Sequence, residues 1–227
     1  MRTGGALLGC RSHASPPRLV LASASPRRRR LLRNLGLTFL ARTSRVAETL
    51  VPGEGARARA VRLSRDKARD VASRLRQPAW VLGADTLVMA GAKVLEKPVD
   101  RGDALRMLER LSGRRHTVIT GICLTPAHLP GRRERSASRT TRVTFASLSR
   151  DQKNWLLTGD EYKDKAGAYA VQGRAAAFIL SLTGSPSNVV GLPLDLVHEF
   201  LAEAGYMPAP VRRRRPPARS SGTRRRS

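Results

Sequence analysis

The sequence predicts an α/β fold. Short β-branched or apolar runs alternate along it with stretches whose apolar residues recur at helical spacing, and no internal repeat breaks that alternation. No uninterrupted apolar run approaches the roughly 18 residues that a membrane-spanning helix needs, so an integral membrane protein is excluded. A chain of 227 residues with 41% hydrophobic side chains can bury the core such a fold requires, which excludes disorder throughout.

Taken in order, residues 18–22 read as a first strand. Ser25-Pro26 then supplies an N-cap and a proline at the first helical position, Leu31, Leu32 and Leu35 form the buried stripe, and Gly36 closes the helix. A second strand is expected over 37–41. From about 54 to 75 a longer helix places Val61, Ala68, Val71, Ala72 and Leu75 on one arc. Lys67 falls between Leu63 and Val71 at i,i+4 spacing, so its stem lies at the edge of that arc and leans toward the protein.

Residues 80–89 form a nearly continuous apolar run interrupted by Asp85-Thr86, as expected of a strand buried on both faces. A third helix over 100–111 turns Ala104, Met107, Leu108 and Leu111 inward and stops at Gly113. Residues 116–125 and 139–147 read as a long hairpin around Pro130-Gly131. Ser149 with Gln152 is a capping box that opens a helix through Trp155 and Leu156 to Gly159. After a glycine-punctuated loop, residues 175–182 are expected as a strand and 193–204 as the last helix.

The net charge is +26, from 43 basic and 17 acidic residues. Residues 1–18 contain three arginines and 211–227 contain eight, with no acid in either segment; the remainder is still clearly basic. Such a field attracts nucleic acid, anionic surfaces or nucleotides alike. Residues 1–17 are expected to be a disordered leader, 18–206 the folded domain and 207–227 a disordered Arg-rich tail. Nucleic acid is a conceivable partner only through that tail, which has no interleaved aromatics to stack bases. Cys10 and Cys123 are too few for a disulfide framework or a paired-cysteine metal site, which fits a reducing, intracellular setting. The histidines show no metal spacing and are read as structural or incidental.

Four places carry chemistry. Ser23-Ala24-Ser25-Pro26-Arg27-Arg28 lies directly between a strand and a helix start, where backbone N–H groups, the helix dipole and two guanidinium groups suit a phosphate; a capped, solvated basic helix start would look the same. Asp85, inside an apolar run, is expensive to bury without a partner or a purpose such as metal ligation or general-base work, or else caps a neighbouring turn. Lys97, in a loop fixed by Pro98, suits a phosphate ligand or is an exposed surface lysine. In the loop 160–173, glycines permit close backbone approach and Gln172 can pair with an amide or carbonyl edge. The sum is metal-assisted chemistry on a phosphorylated substrate.

Several of these stretches together resemble the Maf family of nucleotide pyrophosphatases. They are Leu21-Ala22-Ser23-Ala24-Ser25-Pro26-Arg27-Arg28, Gly83-Ala84-Asp85-Thr86, Glu96-Lys97-Pro98, Ser112-Gly113-Arg114-Arg115-His116, the run from Asp164 to Gly173, and the run from Gly184 to Pro193. The resemblance covers roughly 18–204. It implies an inosine-triphosphatase-like mixed, elongated sheet flanked by helices, with two lobes around a nucleotide cleft, in a cytoplasmic homodimer. It implies hydrolysis of a nucleoside triphosphate to monophosphate and pyrophosphate with a divalent cation, Mg or Mn.

Position by position, the resemblance makes Asp85 the proton acceptor and, with Glu48, a metal ligand. It makes Arg27, Arg28, Lys67 and Lys97 the cations around the triphosphate, and it associates Arg27, Thr86 and Gln172 with substrate choice. The form of the Lys165 to Gly173 block resembles the branch acting on dTTP and UTP rather than the branch acting on 7-methyl-GTP. The chain departs from the pattern where Ala47 precedes Glu48 and where Glu96 stands in place of a frequent glycine. A reading from another class is a basic nucleic-acid or division-associated binding protein with a vestigial pocket.

Overall fold

A computed structural model describes residues 17–207. Seven strands form one mixed sheet in the order β2-β1-β3-β5-β6-β7, with β4 on the same side of β3 as β1. They are β1 (Arg18–Leu21), β2 (Leu40–Ala41), β3 (Ala79–Ala90), β4 (Lys93–Leu95), β5 (Arg115–Ala127), β6 (Arg135–Phe145) and β7 (Ile179–Thr183). β1 runs parallel to β2 and β3, and every other pairing is antiparallel. At about 3.3 Å per residue the 12 residues of β3 and 13 of β5 make the sheet roughly 40 Å long, which gives it the elongated form.

The helices are α1 (Pro26–Asn34), α2 (Ala56–Ser73), α3 (Arg101–Leu111), α4 (Arg150–Leu156), α5 (Pro186–Val190) and α6 (Leu194–Glu203). On one face of the sheet, α1 and α6 bury Leu32, Val197 and Leu201 against Leu19, Leu21, Leu82 and Leu124. Farther along that face, α3, α4 and the segment around Tyr169 enclose a second cluster with Val88, Val118, Val143 and Phe145. These clusters are the cores of two lobes. The opposite face is covered by α2, whose Ala68, Val71 and Ala72 meet Val20, Val81 and Cys123.

A lateral gap in β3 opens between the lobes. Hydrogen bonding to β1 ends at Leu82, which accepts from the Ala22 amide at 2.8 Å, and pairing with β4 begins only at Val88. The intervening edge of β3 contains Asp85 and Thr86.

α2 approaches the sheet over glycine. A Cβ placed on Gly83 would lie 2.1 Å from the Ser64 carbonyl oxygen, and one on Gly121 would lie 2.2 Å from that of Ala60. Any side chain at either position would push the helix off the strands. His116 is buried and shares a 2.7 Å hydrogen bond with the Tyr169 hydroxyl; burial lowers its pKa to about 4, so it is a neutral, structural residue. Cys123 is buried and its thiol is pushed up to about 12, which keeps it unreactive.

Several boundaries differ from those expected. The second strand is Leu40–Ala41 only, and the strand expected over 175–182 starts at Ile179 because Arg174–Phe178 closes into a 3-10 helix. β4 and α5 were not expected, being a three-residue strand and a five-residue helix too short for a periodic signal. The hairpin strands are longer than expected, Arg115–Ala127 and Arg135–Phe145. Both capping predictions match: the Ser25 side chain accepts from the Arg28 amide, and Ser149 and Gln152 form the capping box. The leader and tail, with Cys10 and His13, lie outside the described residues apart from Pro17 and Met207.

Gly83→Ala is expected to destabilise the fold by at least about 2 kcal/mol in urea unfolding, because the added methyl meets helix backbone rather than a movable side chain. A loss below about 0.5 kcal/mol would contradict the close approach.

Candidate functional site

The gap in β3 opens onto a cleft of about 600 Å³. All eight residues singled out from the sequence line it: Arg27, Arg28, Glu48, Lys67, Asp85, Thr86, Lys97 and Gln172. They come from α1, the β2–α2 loop, α2, β3, the β4–α3 loop and the loop after α4, so the fold gathers residues far apart in sequence.

Asp85 is the most constrained. It is 4% exposed, and Lys67 Nζ donates to its Oδ1 at 2.6 Å. The same ammonium donates to Glu48 Oε1 at 2.6 Å, so one cation bridges two carboxylates. Asp85 Oδ2 is buried and has no hydrogen-bond partner among the described residues. A buried carboxylate oxygen without a donor is costly, and it is therefore a position where something other than this chain's own groups is to be expected. Burial raises the Glu48 pKa, but the hydrogen bond and charge of Lys67, with Lys97 and Arg28 adding to them, outweigh it and hold this carboxyl below its ordinary value.

Arg28 is committed to the scaffold. Its Nε donates to the Gly191 carbonyl at 2.8 Å, Nη1 to Ser23 Oγ at 3.2 Å and Nη2 to Thr86 Oγ1 at 3.0 Å. Burial lowers its pKa, with the nearby Asp85 charge opposing, and an arginine so placed stays charged. Thr86 passes the network on to Thr120, which donates to the Asn188 carbonyl at 2.9 Å. Arg28 thus ties α1, β3 and the end of α5 together at the cleft floor.

Arg27 is paired. Its Nη1 meets Asp164 Oδ2 at 3.0 Å, and Asp164 also accepts from Lys165 Nζ at 2.8 Å. With side chains 32% and 59% exposed, the Arg27–Asp164 pair is weak and open to competition from a more highly charged anion. Lys97 and Gln172 are exposed at the cleft.

Sequence reasoning missed Asp164 and Lys165 in this wall, and Arg59, which is buried behind it against Glu96. For Arg59 a signal existed: Arg59, Leu63 and Lys67 recur at i,i+4 on α2, so the face that carries Lys67 also carries a second cation. Asp164 gave no such signal, since its partner is 137 residues away.

The chemistry of the donors fits a hard divalent cation. Glu48 and Asp85 offer oxygen ligands, and Asp85 has an oxygen without a donor. Among the described residues no group of three or more His, Cys, Asp or Glu converges, so these two carboxylates would leave positions for phosphate oxygens and water, which is how magnesium is usually held.

A cleft of this size, lined by cations around a buried carboxylate, suits a small polyanion. The chain belongs to the Maf family: the model described as Maf-like protein matches residues 18–204. It is 48% identical to the dTTP/UTP pyrophosphatase of Myxococcus xanthus (strain DK1622) over 86% of this chain and 95% of that protein. It is 48% identical to the dTTP/UTP pyrophosphatase of Anaeromyxobacter sp. (strain Fw109-5), over 83% of this chain and 90% of that protein. That of Symbiobacterium thermophilum is 47% identical over 83% and 94%. A crystal structure of a nucleoside-triphosphatase, dITP/XTP pyrophosphatase, from Mycobacterium abscessus aligns with TM-score 0.37 and 14% identity over 84% of this chain and 98% of that one. The fold described above rests on the chain's own topology. No helix among the described residues is long and apolar enough to cross a membrane.

Lys67→Met is expected to raise the Glu48 pKa toward its ordinary value. A depressed carboxyl contributes stability above its unfolded pKa and loses it as pH falls, so the variant loses part of that acid-sensitive stability. Carboxyl NMR titration reads the shift, and an unmoved Glu48 would contradict the bridge.

Proposed function

We propose that this protein hydrolyses dTTP and UTP to the nucleoside monophosphate and pyrophosphate. The observation that carries this reading is Asp85: buried, held on one oxygen by Lys67, and free of protein donors on the other, at the centre of a cation-lined cleft. The relatives' activity, dTTP/UTP pyrophosphatase, supports the same reaction and the same bases.

In this mechanism the triphosphate enters between the lobes, with its charge met by Lys67, Lys97, Arg27 and the amino end of α1. A water at Asp85 Oδ2 gives up a proton to that oxygen as its own oxygen bonds to the α-phosphorus. The bond from the α-phosphorus to the bridging oxygen breaks, and pyrophosphate leaves against the cations. Lys67 orients Asp85 through its hydrogen bond to Oδ1, and the apolar surroundings of β3 strengthen that interaction. Arg27 exchanges Asp164 for phosphate as substrate binds. Glu48 and Asp85 would hold a divalent cation, Mg or Mn, whose contribution is to neutralise phosphate charge.

Thr86, fixed by Arg28 and Thr120, shapes the floor beside Asp85. Gln172, at the cleft edge, offers an amide whose donor and acceptor match the imide edge of thymine or uracil. The reading includes a cytoplasmic homodimer as the working form.

The test is pyrophosphate release with magnesium from a panel of common nucleotides and 7-methyl-GTP. The expected result is kcat/KM for dTTP and UTP at least about tenfold above every other nucleotide. A preference for 7-methyl-GTP would overturn the role of Gln172, and release from no nucleotide by folded protein would overturn the reaction.

A further inference from the structure

We infer that Arg59 and Glu96 form a positioning pair that keeps Lys97 available to the triphosphate. The inference rests on the reaction proposed above and concerns residues that this reaction does not itself use.

Arg59 is on α2, two turns before Lys67, and is 5% exposed. Its Nη1 donates to Glu96 Oε1 at 2.7 Å, while its Nε is buried with no partner among the described residues. Burying a guanidinium with an unmet donor for the sake of one ion pair to a half-exposed carboxylate gains little stability. The pair is better explained by what it does to the cleft.

Glu96 and Lys97 are neighbours, and both line the cleft. No carboxylate among the described residues lies within ion-pair distance of Lys97, and its charge acts on Glu48 across the cleft. The backbone of Glu96 is fixed independently of Arg59, because its carbonyl accepts from the Gly167 amide at 3.1 Å. Gly167 itself is held in a left-handed turn against Val88. Loss of Arg59 would therefore leave the loop in place and release only the Glu96 carboxylate. That carboxylate would then lie beside Lys97 in a site built for anions, opposing the triphosphate and competing for the ammonium. The acidic residue at 96 is thus held off Lys97 by the buried arginine that faces it.

The experiment compares steady-state kinetics on dTTP, and calorimetric binding of inorganic tripolyphosphate, for the wild type, Arg59→Met, Arg59→Lys and Arg59→Met/Glu96→Gln. The expected pattern is a KM about tenfold higher in Arg59→Met with kcat within about threefold of wild type. In Arg59→Lys and in the double variant KM should return to within about threefold of wild type. Tripolyphosphate affinity should follow the same order. A general structural role would lower the melting temperature and kcat together, and removing Glu96 would not rescue it. A double variant as weak as Arg59→Met would overturn the inference. If the wild type releases no pyrophosphate but tripolyphosphate affinity follows this order, the reaction is wrong and the pair stands.

Discussion

How closely α2 lies on the sheet determines the rest of the site. The helix backbone touches β3 at Gly83 and β5 at Gly121, and Gly121 is the register partner of Asp85. With no side chain to hold them apart, the i,i+4 ladder of α2 is delivered directly over the strand that carries the carboxylate. Lys67 then reaches Asp85 with its stem still packed in protein, its side chain only 12% exposed. One seating of one helix fixes the acid, its cation and, a turn or two earlier, Arg59.

That seating makes affordable a charge that the core would otherwise reject. Removing a carboxylate from water costs several kcal/mol, and an ion pair rarely more than offsets it. Asp85 lies where β3 loses β1 on one flank before it gains β4, so the price of burial is met at the one stretch of the strand open to a ligand. The amino end of α1 and its arginines face the same opening from the end of β1. A parallel strand end, a helix start and a strand gap therefore converge, and each contributes positive potential or exposed donors to one volume.

Much of this was legible in the sequence because its causes are local. Ser25-Pro26 and the Ser149–Gln152 box are set by capping within a few residues and appear where expected; of the apolar arc of α2, Ala68, Val71 and Ala72 are buried as expected, while Val61 is half-buried and Leu75 lies past the helix end. Asp85 was conspicuous because a charge in an apolar run is itself a signal. The resemblance to the family added Glu48, which no local pattern would single out. What stayed hidden depends on distant pairing. Strand β4 exists only because β3 turns back at Gly91, and the 3-10 helix over Arg174–Phe178 displaces a strand that its apolar composition suggested. The Arg27–Asp164 contact and the commitment of Arg28 to Gly191 join residues more than a hundred positions apart, so a reading by position assigned both arginines directly to phosphate. The structure adds that Arg28 also ties the cleft floor together and that Arg27 is paired with Asp164.

The most direct measurement is a comparison of nucleotide binding and turnover in Asp85→Asn, a substitution that keeps the size of the side chain and removes its capacity to accept a proton as a base. If Asp85 is the proton acceptor, dTTP still binds with Kd within about tenfold of wild type while pyrophosphate release falls by about a hundredfold or more. Turnover by a folded Asp85→Asn variant close to that of the wild type would contradict the assignment, and with it the role of the Lys67 bridge.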